Sequence, residues 1–311
     1  MVHNKQNSFF VMRAVCPACA SDKLMSLYMR PFSDPHMRAY MEIAYQGNVE
    51  YEYLEGQVYD ILECLSCGLL FQANVLTPKG AQRLYDVWID PLLAAQWNRE
   101  KLRDRTIPCA ILNFVERYLN RKEVRILDYG AGLGEFCRLA KGFGFDVSAF
   151  EFSEERASVL QQMGVIPIYS LEGKEGTYDF INMSQVLEHL ADPLSALQAI
   201  HRSLRDDGLV FLSVPTCRSL KRKLRTVDKL TIEGYKKTLE RSCALQHINS
   251  FTHRSLKRIC RRAGFTIVFR PLLFIGCSAL GTSLKQLAKS IVRPFYYNFT
   301  TSLFLAKRLG R

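Results

Sequence analysis

The sequence lacks any apolar run long enough to cross a membrane. A transmembrane helix needs roughly 20 consecutive, mostly apolar residues, and the 311-residue chain contains no such run. Residues 1–15 also lack an apolar segment followed by a small-residue cleavage site, so no signal peptide is expected. These two absences predict a cytoplasmic protein.

Acidic residues are scarce in the last third of the chain. Residues 215–311 contain 21 Lys and Arg but only 3 Asp and Glu, whereas residues 1–214 contain 21 and 27. The uneven charge predicts an anionic partner, which is a phosphate-bearing substrate, an anionic membrane surface or nucleic acid. A basic surface that contacts only solvent is the simpler alternative.

The ten cysteines lack the regular spacing of a disulfide framework. Six are single, and four form two C-x-x-C pairs, Cys16 with Cys19 and Cys64 with Cys67. Two such pairs supply four thiolates to one tetrahedral zinc ion, which leaves no open position for metal catalysis. The pattern therefore predicts a structural Zn²⁺ site. Four unliganded thiols and a redox-active pair are the alternatives.

The two cysteine pairs are separated by 44 residues, so the chain between them must bring them together. Residues 41–60 are rich in Tyr, Val and Ile and are interrupted by Gln46-Gly47-Asn48. This composition predicts antiparallel strands joined by a turn. We therefore expect a zinc-ribbon-like β module at residues 1–78, followed by a helical lead-in at residues 79–123.

Strands alternate with helices from residue 124 onward. The predicted strands cover residues 124–128, 146–151, 165–169, 178–183 and 209–214. Asp192-Pro193 is typical of a helix start, with Asp as N-cap and Pro at the first helical position. Alternation of this kind predicts an α/β fold, in which helices cover both faces of a parallel sheet.

A glycine-rich turn follows the first of these strands. Gly130, Gly132 and Gly134 come directly after the strand that ends at Asp128, and a helix follows them. Glycines let the backbone approach a ligand closely, and the start of the helix favours negative charge. Glu151 ends the next strand, where a carboxylate can accept hydrogen bonds from both ribose hydroxyls. An ordinary tight turn is the alternative interpretation of the glycines.

Four segments together resemble one known family. LDYGAGLG, the strand-end Glu151, YDFINMSQVLEHLADP and DDGLVFLSVP span residues 124–215. In this order they resemble the class I S-adenosylmethionine-dependent methyltransferases. The resemblance implies a seven-stranded Rossmann-like sheet, with the cofactor's methionine at the glycine turn beside Asp128 and its ribose at Glu151. It also implies that Ser170 and Leu171 flank adenine and that Ser184 to His189 border the methyl group.

The cysteine module extends this resemblance to a subgroup. The segment from Cys64 to Phe71, then Pro78 and Leu84-Tyr85, is similar to methyltransferases that include deoxysugar enzymes, many of them linked with bacterial surface polysaccharides. This similarity implies a small-molecule or glycan acceptor, such as a sugar, a nucleotide-sugar or a lipid-linked sugar. The catalytic domain is expected at residues 124–275, with a basic insertion and substrate loop at 216–250.

Two histidines are candidates for the catalytic base. His189 follows the fourth strand, and His247 lies in a loop that in relatives reads H-x-x-x-F/Y and faces the substrate. Histidine titrates near neutral pH and can take a proton from an acceptor hydroxyl. Each is equally compatible with a structural histidine that has no contact with substrate.

Two other functions and a membrane location remain open at this level. The basic last third and the cysteine module favour an RNA methyltransferase, although Asn182-Met183-Ser184-Gln185 stands where amino-group methyltransferases usually carry N-P-P-Y. A non-catalytic protein could keep the cofactor fold. The tail at residues 276–311 has the pattern of basic amphipathic helices, which predicts peripheral binding to anionic membrane.

Overall fold

Tertiary contacts divide the chain into two units. The computed structural model describes residues 9–89, 105–215, 217, 219–226, 233–234, 239, 243–268 and 302–307. The first unit comprises Met1–Asn98, Glu188–Ala191 and Pro215–Ser255, and the second comprises Arg99–Leu187, Asp192–Val214 and Leu256–Arg311. The predicted insertion at 216–250 therefore shares a unit with the cysteine pairs and not with the glycine turn.

The described residues form 13 strands and eight α-helices. The strands are β1 Phe10–Met12, β2 Leu24–Pro31, β3 Val58–Cys64, β4 Leu70–Gln72, β5 Asn74–Leu76, β6 Arg125–Tyr129, β7 Asp146–Phe150, β8 Ile166–Ile168, β9 Tyr178–Ser184, β10 Leu204–Ser213, β11 Asn249–Ser250, β12 Phe265–Val268 and β13 Ser302–Lys307. The helices are α1 Pro35–Tyr45, α2 Pro78–Arg83, α3 Thr106–Leu119, α4 Glu135–Gly142, α5 Glu154–Gln162, α6 Pro193–Ser203, α7 Leu220–Leu224 and α8 His253–Arg262. Short 3₁₀ helices cover Tyr51–Leu54 and Leu187–His189, and Leu84–Trp88 forms a π-helical turn.

The first unit is built on an antiparallel sheet of four strands. Its order is β11-β4-β3-β2, and β1 pairs separately with β5. Strand β11 brings the segment around residue 249 into register with β4, which directly follows the second cysteine pair. Apolar side chains of this sheet pack with those of α1 and the π-helical turn into one buried core.

The predicted hairpin at residues 41–60 is wrong, because residues 41–45 belong to α1 and a strand begins only at Val58. Asp34 caps this helix by accepting hydrogen bonds from two backbone N–H groups, and Pro35 opens it. Buried Met37, Tyr40, Met41 and Tyr45 recur at helical spacing. Gln46 and Gly47 have φ of 55° and 78° and end the helix instead of turning a hairpin. Residues rich in Tyr and Ile favour strands, but here the capping and the helical period decide the structure.

The second unit contains a seven-stranded sheet in the order β8-β7-β6-β9-β10-β13-β12. Strands β6 to β10 pair in parallel, while β13 runs antiparallel to both of its neighbours. The strand order reverses between β6 and β9, and the carboxyl ends of strands at such a reversal form the ligand crevice of open α/β sheets. This arrangement confirms the predicted α/β class with a seven-stranded Rossmann-like sheet.

Strand β13 corrects the prediction for the C-terminal tail. Residues 302–307 form the strand between β10 and β12, whereas amphipathic helices were expected there. Leu303, Phe304 and Leu305 are all buried, so this strand has apolar side chains on both faces and no amphipathic period. The predicted helical positions at 284–293 lie outside the described residues, as does the membrane contact inferred from them.

The last parallel strand also begins earlier in the sequence than predicted. Helix α6 begins as expected, with Asp192 accepting a hydrogen bond from the Ser195 N–H, but β10 begins at Leu204 instead of residue 209. Its pairing with β9 shifts register between Leu204 and Leu209. A Cβ at Gly208 would lie 2.8 Å from the Leu204 side chain, so this irregularity requires glycine.

Among the described residues, no helix is both long enough and apolar enough to span a membrane.

Candidate cofactor, histidine and cysteine sites

The glycine turn lies at the carboxyl end of β6, where the strand order reverses. Gly130, Gly132 and Gly134 have φ of 79°, 56° and 76°, a region that side chains other than glycine rarely adopt. The N–H of Gly130 donates a 2.9 Å hydrogen bond to the Phe150 carbonyl, which holds the turn against the end of β7. The local sequence therefore fixes both the conformation and the place of this turn.

The three glycines have different surroundings. A Cβ at Gly130 would approach Val186 to 2.5 Å, and one at Gly134 would approach Met163 to 2.5 Å and Leu160 to 2.6 Å. A Cβ at Gly132 would meet no atom within 4 Å. Gly130 and Gly134 are thus required by internal packing, whereas Gly132 borders open space that a ligand can enter.

The Glu151 carboxylate points toward this turn. Its Oε2 accepts a hydrogen bond from the Gly132 N–H at 2.9 Å, and its Oε1 accepts one from the Ser153 N–H at 3.1 Å. The Arg156 guanidinium lies 3.7 Å from Oε1. Carboxylate oxygens carry further lone pairs, so Glu151 can still accept hydroxyl donors of a ligand. The structure thus places a carboxylate beside the open glycine, as a ribose site requires.

Asp128 is buried and begins a chain of hydrogen bonds. It accepts one from Asn182 Nδ2 at 2.7 Å and one from the Cys137 thiol at 3.4 Å, and the Ser184 hydroxyl donates to Asn182 Oδ1 at 2.8 Å. Burial raises the pKa of Asp128 to about 6. The chain joins the ends of β6 and β9, so Asp128 and Ser184 lie in one network. In that network Asp128 supports the turn from inside, with only 3% of its surface exposed.

An exposed aromatic ring stands next to Glu151. Phe152 is 70% exposed, and its ring packs edge-on against Phe150 at 4.8 Å between centroids. Phe150 in turn stacks on Tyr129 at 4.4 Å. The two residues expected to flank adenine lie in the loop after β8, where Ser170 is exposed and Leu171 is half-buried. Phe152 was missed by the sequence analysis, although its position directly after the strand-end carboxylate was a usable signal.

The two candidate histidines lie side by side in the first unit. The rings of His189 and His247 meet edge to face, with 4.9 Å between centroids. Tyr85 places its hydroxyl 3.2 Å from His189 Nδ1, and buried Glu188 has a carboxylate oxygen 3.8 Å from His189 Nε2. The structure therefore joins the two predicted histidines to Glu188, which lies in the predicted Ser184–His189 segment, and to Tyr85. Tyr85 belongs to the segment that resembles the subgroup, but it lies 104 residues from His189, and no pattern in the sequence predicts their contact.

The surroundings of His189 define its tautomer. Its Nδ1 lies 3.0 Å from the carbonyl oxygen of Gln246. A carbonyl oxygen only accepts hydrogen bonds, so this contact places a proton on Nδ1. Glu188, His189 and His247 each offer one ligand atom, and these atoms lie within 4.8 Å of one another. The cluster can therefore take up a proton or hold a cation.

The four predicted zinc ligands converge in the first unit. Cys16 Sγ lies 3.6 Å from Cys67 Sγ, Cys19 Sγ lies 3.5 Å from Cys64 Sγ, and all four sulfurs fall within 4.8 Å of one another. Tetrahedral zinc with Zn–S bonds of about 2.3 Å separates its sulfurs by about 3.8 Å. The hydrogen bond between the side chains of Cys16 and Cys67 lowers the pKa of Cys16 to about 5 and raises the pKa of Cys67, so within this pair it favours the Cys16 thiolate. The donor set and its spacing fit zinc.

The two cysteine loops have the same backbone form. In each loop the N–H four residues after the first cysteine donates a 2.8 Å hydrogen bond to that cysteine's carbonyl, from Ala20 to Cys16 and from Gly68 to Cys64. Ala20 and Gly68 also share a left-handed conformation, with φ of 58° and 77°. The two loops are therefore equivalent turns, and only the second uses the glycine that this conformation favours.

Comparisons with known proteins agree with this geometry. A family model described as a methyltransferase domain matches residues 100–269. The ubiquinone biosynthesis O-methyltransferase of Xanthomonas oryzae pv. oryzae is 27% identical over 113 residues, which are 33% of this chain and 47% of that protein. The enzyme of the same name from Thiobacillus denitrificans is 31% identical over 100 residues, 29% of this chain and 43% of that protein. The chain thus spans about half the length of these relatives.

The fold comparison includes methyltransferases solved with ligands. The 1,6-didemethyltoxoflavin-N1-methyltransferase of Burkholderia thailandensis, with bound 1,6-didemethyltoxoflavin and S-adenosylhomocysteine, has a TM-score of 0.44 and 20% identity, and the alignment covers 68% of this chain and 86% of that one. The family model matches more than half of the 311 residues. The chain therefore belongs to the methyltransferase-domain family.

Proposed function

We propose that the protein transfers a methyl group from S-adenosylmethionine to a small-molecule or glycan acceptor. The observation that carries this proposal is the contact between Glu151 Oε2 and the Gly132 N–H, beside a glycine whose missing side chain faces open space. Family membership supports the same activity. Bound S-adenosylmethionine would supply an electrophilic methyl carbon on its sulfonium.

Three groups of the second unit fit the cofactor. Gly132 leaves room for close approach of the methionine portion, and Glu151 can accept hydrogen bonds from the ribose hydroxyls. The exposed ring of Phe152 offers a face on which adenine can stack. We propose that Ser170 and Leu171 border the other side of the adenine, in keeping with the family resemblance.

We further propose that the histidine cluster removes the acceptor's proton. A hydroxyl acceptor needs a base within hydrogen-bond reach as its oxygen attacks the methyl carbon. The Gln246 carbonyl orients the His189 ring through Nδ1, and the Glu188 carboxylate, 3.8 Å from Nε2, would stabilise the imidazolium that forms when His189 takes that proton. His247 packs against it and can assist, and Tyr85 supports the same ring. The relatives from Xanthomonas and Thiobacillus are named as O-methyltransferases, which supports an oxygen acceptor.

We propose an acceptor that carries negative charge, such as a nucleotide-sugar or a lipid-linked sugar. Helix α8 has an exposed basic face and no acidic residue, and the residues of that face are Arg254, Lys257, Arg258, Arg261 and Arg262. A charge of one sign on one face attracts anions. The substitution Arg258→Glu is then expected to raise the KM for a labelled acceptor while the affinity for S-adenosylmethionine stays unchanged. An unchanged KM would contradict this part of the proposal.

We also propose that Cys16, Cys19, Cys64 and Cys67 hold a structural zinc ion. The convergence of four thiols from two equivalent turns supports this site. All four ligands would come from the protein, so the ion would stabilise the module and take no part in methyl transfer.

Calorimetric titration with S-adenosylmethionine tests the central proposal. The wild-type protein is expected to bind one equivalent, and Glu151→Ala is expected to weaken binding at least tenfold because hydrogen bonds to a charged group contribute roughly 1.5–3 kcal/mol. The matched control is Glu155→Ala, which removes an exposed carboxylate from the following helix. If wild-type protein does not bind the cofactor, or if both variants bind equally well, the proposal is wrong.

A further inference from the structure

The segments that carry His189 and His247 have little regular structure of their own. His189 ends a 3₁₀ helix of three residues, and His247 lies in a turn between Cys243 and the two-residue strand β11. Leu245, in the same turn, has a strained left-handed φ of 71°. Besides the contact between His189 Nδ1 and the Gln246 carbonyl and the short β11–β4 pairing, three side chains from elsewhere in the chain contact these segments.

Arg13 is the first of these side chains. Its Nη2 donates to the carbonyls of Gln72 and Ile248 at 2.7 and 2.8 Å, and its Nε donates to Gln72 at 3.0 Å. Its Nη1 donates to Asn249 Oδ1 at 2.7 Å. The guanidinium also lies over the Phe71 ring at 5.1 Å. A planar fork that satisfies three acceptors at once fixes the segment after His247 against β4.

Asn249 continues the network to the other histidine. It is almost fully buried, with 1% of its surface exposed. While its Oδ1 accepts from Arg13, its Nδ2 donates to the Leu190 carbonyl at 2.7 Å. Leu190 is the residue directly after His189. A single amide side chain therefore ties the His189 segment to the His247 segment.

Gln72 holds the turn that contains His247. It is 2% exposed, and its Nε2 donates to the carbonyls of His247 and Cys243 at 3.2 and 3.3 Å. Its Oε1 accepts a hydrogen bond from the N–H of Leu245 at 3.1 Å. All hydrogen-bonding atoms of this side chain are thus used on one turn, including its strained residue.

We infer that Arg13, Gln72 and Asn249 form a positioning network that sets the geometry of the His189–His247 pair. These three residues act through the two histidine segments. The inference rests on the proposed function only for the catalytic role of the histidines. Arg13 lies three residues before Cys16, and Gln72 lies five residues after Cys67. The network therefore also couples order in the cysteine module to the arrangement of the histidines.

Histidine NMR on the full chain tests this network without a known acceptor. The chain has six histidines, whose ring Cε1–H signals report local geometry and titration. Arg13→Lys keeps the charge but loses the fork, and Asn249→Ala leaves Arg13 bonded to the backbone carbonyls of Gln72 and Ile248. Both variants are expected to shift the signals and the titration midpoints of His189 and His247, while exposed His36 stays unchanged. Arg38→Lys, at an exposed arginine that stacks on Tyr51, is the matched control.

The outcomes separate this inference from the proposed function. If the His189 and His247 signals of both folded variants match those of Arg38→Lys, the inference is wrong. If Arg13→Lys does not fold, the Asn249→Ala spectrum decides alone, because that change removes only one amide. Failure of the wild-type protein to bind S-adenosylmethionine would refute the proposed function. The NMR comparison of the histidine signals would still test the positioning network.

Discussion

The glycine turn with Glu151, called the hollow below, and the histidine cluster are assembled in different ways. The hollow consists mainly of backbone from one turn, with a carboxylate from the next strand of the same sheet. The cluster is built from the side chains of Tyr85, Glu188, His189 and His247. Its histidine segments are contacted by the inferred network of Arg13, Gln72 and Asn249. A backbone site depends on local conformation, whereas a site of distant side chains depends on every contact that fixes their segments.

The two sites are therefore also expected to respond differently to substitutions. Parallel strands and glycine turns have few alternative arrangements once the sheet forms. The histidine segments depend on individual hydrogen bonds, and loss of one buried partner leaves its mate unsatisfied. We therefore expect substitutions in the hollow to act through steric clashes, and substitutions around the cluster to act by displacing the histidine side chains.

Removal of a zinc ligand is expected to give the largest effect. Cys64→Ser should abolish metal binding and lower the melting temperature by about 10 °C or more, since structural zinc contributes on the order of 10 kcal/mol in zinc-finger peptides. Thermal unfolding and metal analysis of the purified protein measure both changes. The control is Cys109→Ser, at a half-buried free thiol of α3. A variant that keeps one equivalent of zinc, or melts with the control, would contradict the proposed site.

Substitutions of two glycines in the hollow distinguish an effect on stability from an effect on cofactor binding. Gly134→Ala is expected to cost about 2–4 kcal/mol of stability, because its Cβ would clash with Leu160 and Met163 at a left-handed φ. Gly132→Ala should cost only about 1–2 kcal/mol of stability but should weaken binding of S-adenosylmethionine at least tenfold.

The control for these glycine variants is Gly144→Ala, which has a φ of 84° and no atom within 4 Å of the added Cβ. It measures the cost of the backbone conformation alone. Urea unfolding and calorimetry are then compared for the three variants. Equal losses of affinity in the Gly132 and Gly134 variants, after correction for stability, would show that the two glycines do not differ as their surroundings indicate.

Asp128 offers a test of pH dependence within the hollow. Burial raises its pKa from 3.8 to about 6, so the folded state binds more protons than the unfolded state between these two pH values. The contribution of this group to stability therefore falls as pH rises through that window, by on the order of 2–3 kcal/mol. Asp128→Asn should remove this fall in unfolding free energy between pH 4 and about 6. A wild-type slope that persists unchanged in the variant would contradict the assignment.

The smallest expected effect compares the two cysteine turns. Ala20 occupies the left-handed position that Gly68 occupies in the second turn. Ala20→Gly should relieve strain and raise stability by about 0.5–1 kcal/mol, since the entropy lost by glycine on folding offsets part of the gain. Chemical denaturation measures this change. Destabilisation by the substitution would mean that the two turns are not equivalent.

Much of the second unit was predictable because its signals are local. The five parallel strands, the glycine turn, Glu151 and the start of α6 each have a pattern within a few residues. The same holds for the cysteines, whose C-x-x-C spacing is a property of each turn. The α1 helix has local signals of both kinds, because Asp34-Pro35 and the spacing of its buried residues favour a helix while its Tyr and Ile content favours a strand.

The sequence by itself determined the parallel α/β sheet, the cofactor turn and the identity of the four converging cysteines, because these depend on residues adjacent in the chain. Only the tertiary structure decided that residues 302–307 complete the sheet and that Tyr85 and His247 meet His189. The same is true of Arg13 and Asn249, which lie 236 residues apart and are joined by one hydrogen bond. Contacts between distant segments leave no period or spacing in the sequence, since they depend on how the folded chain brings those segments together.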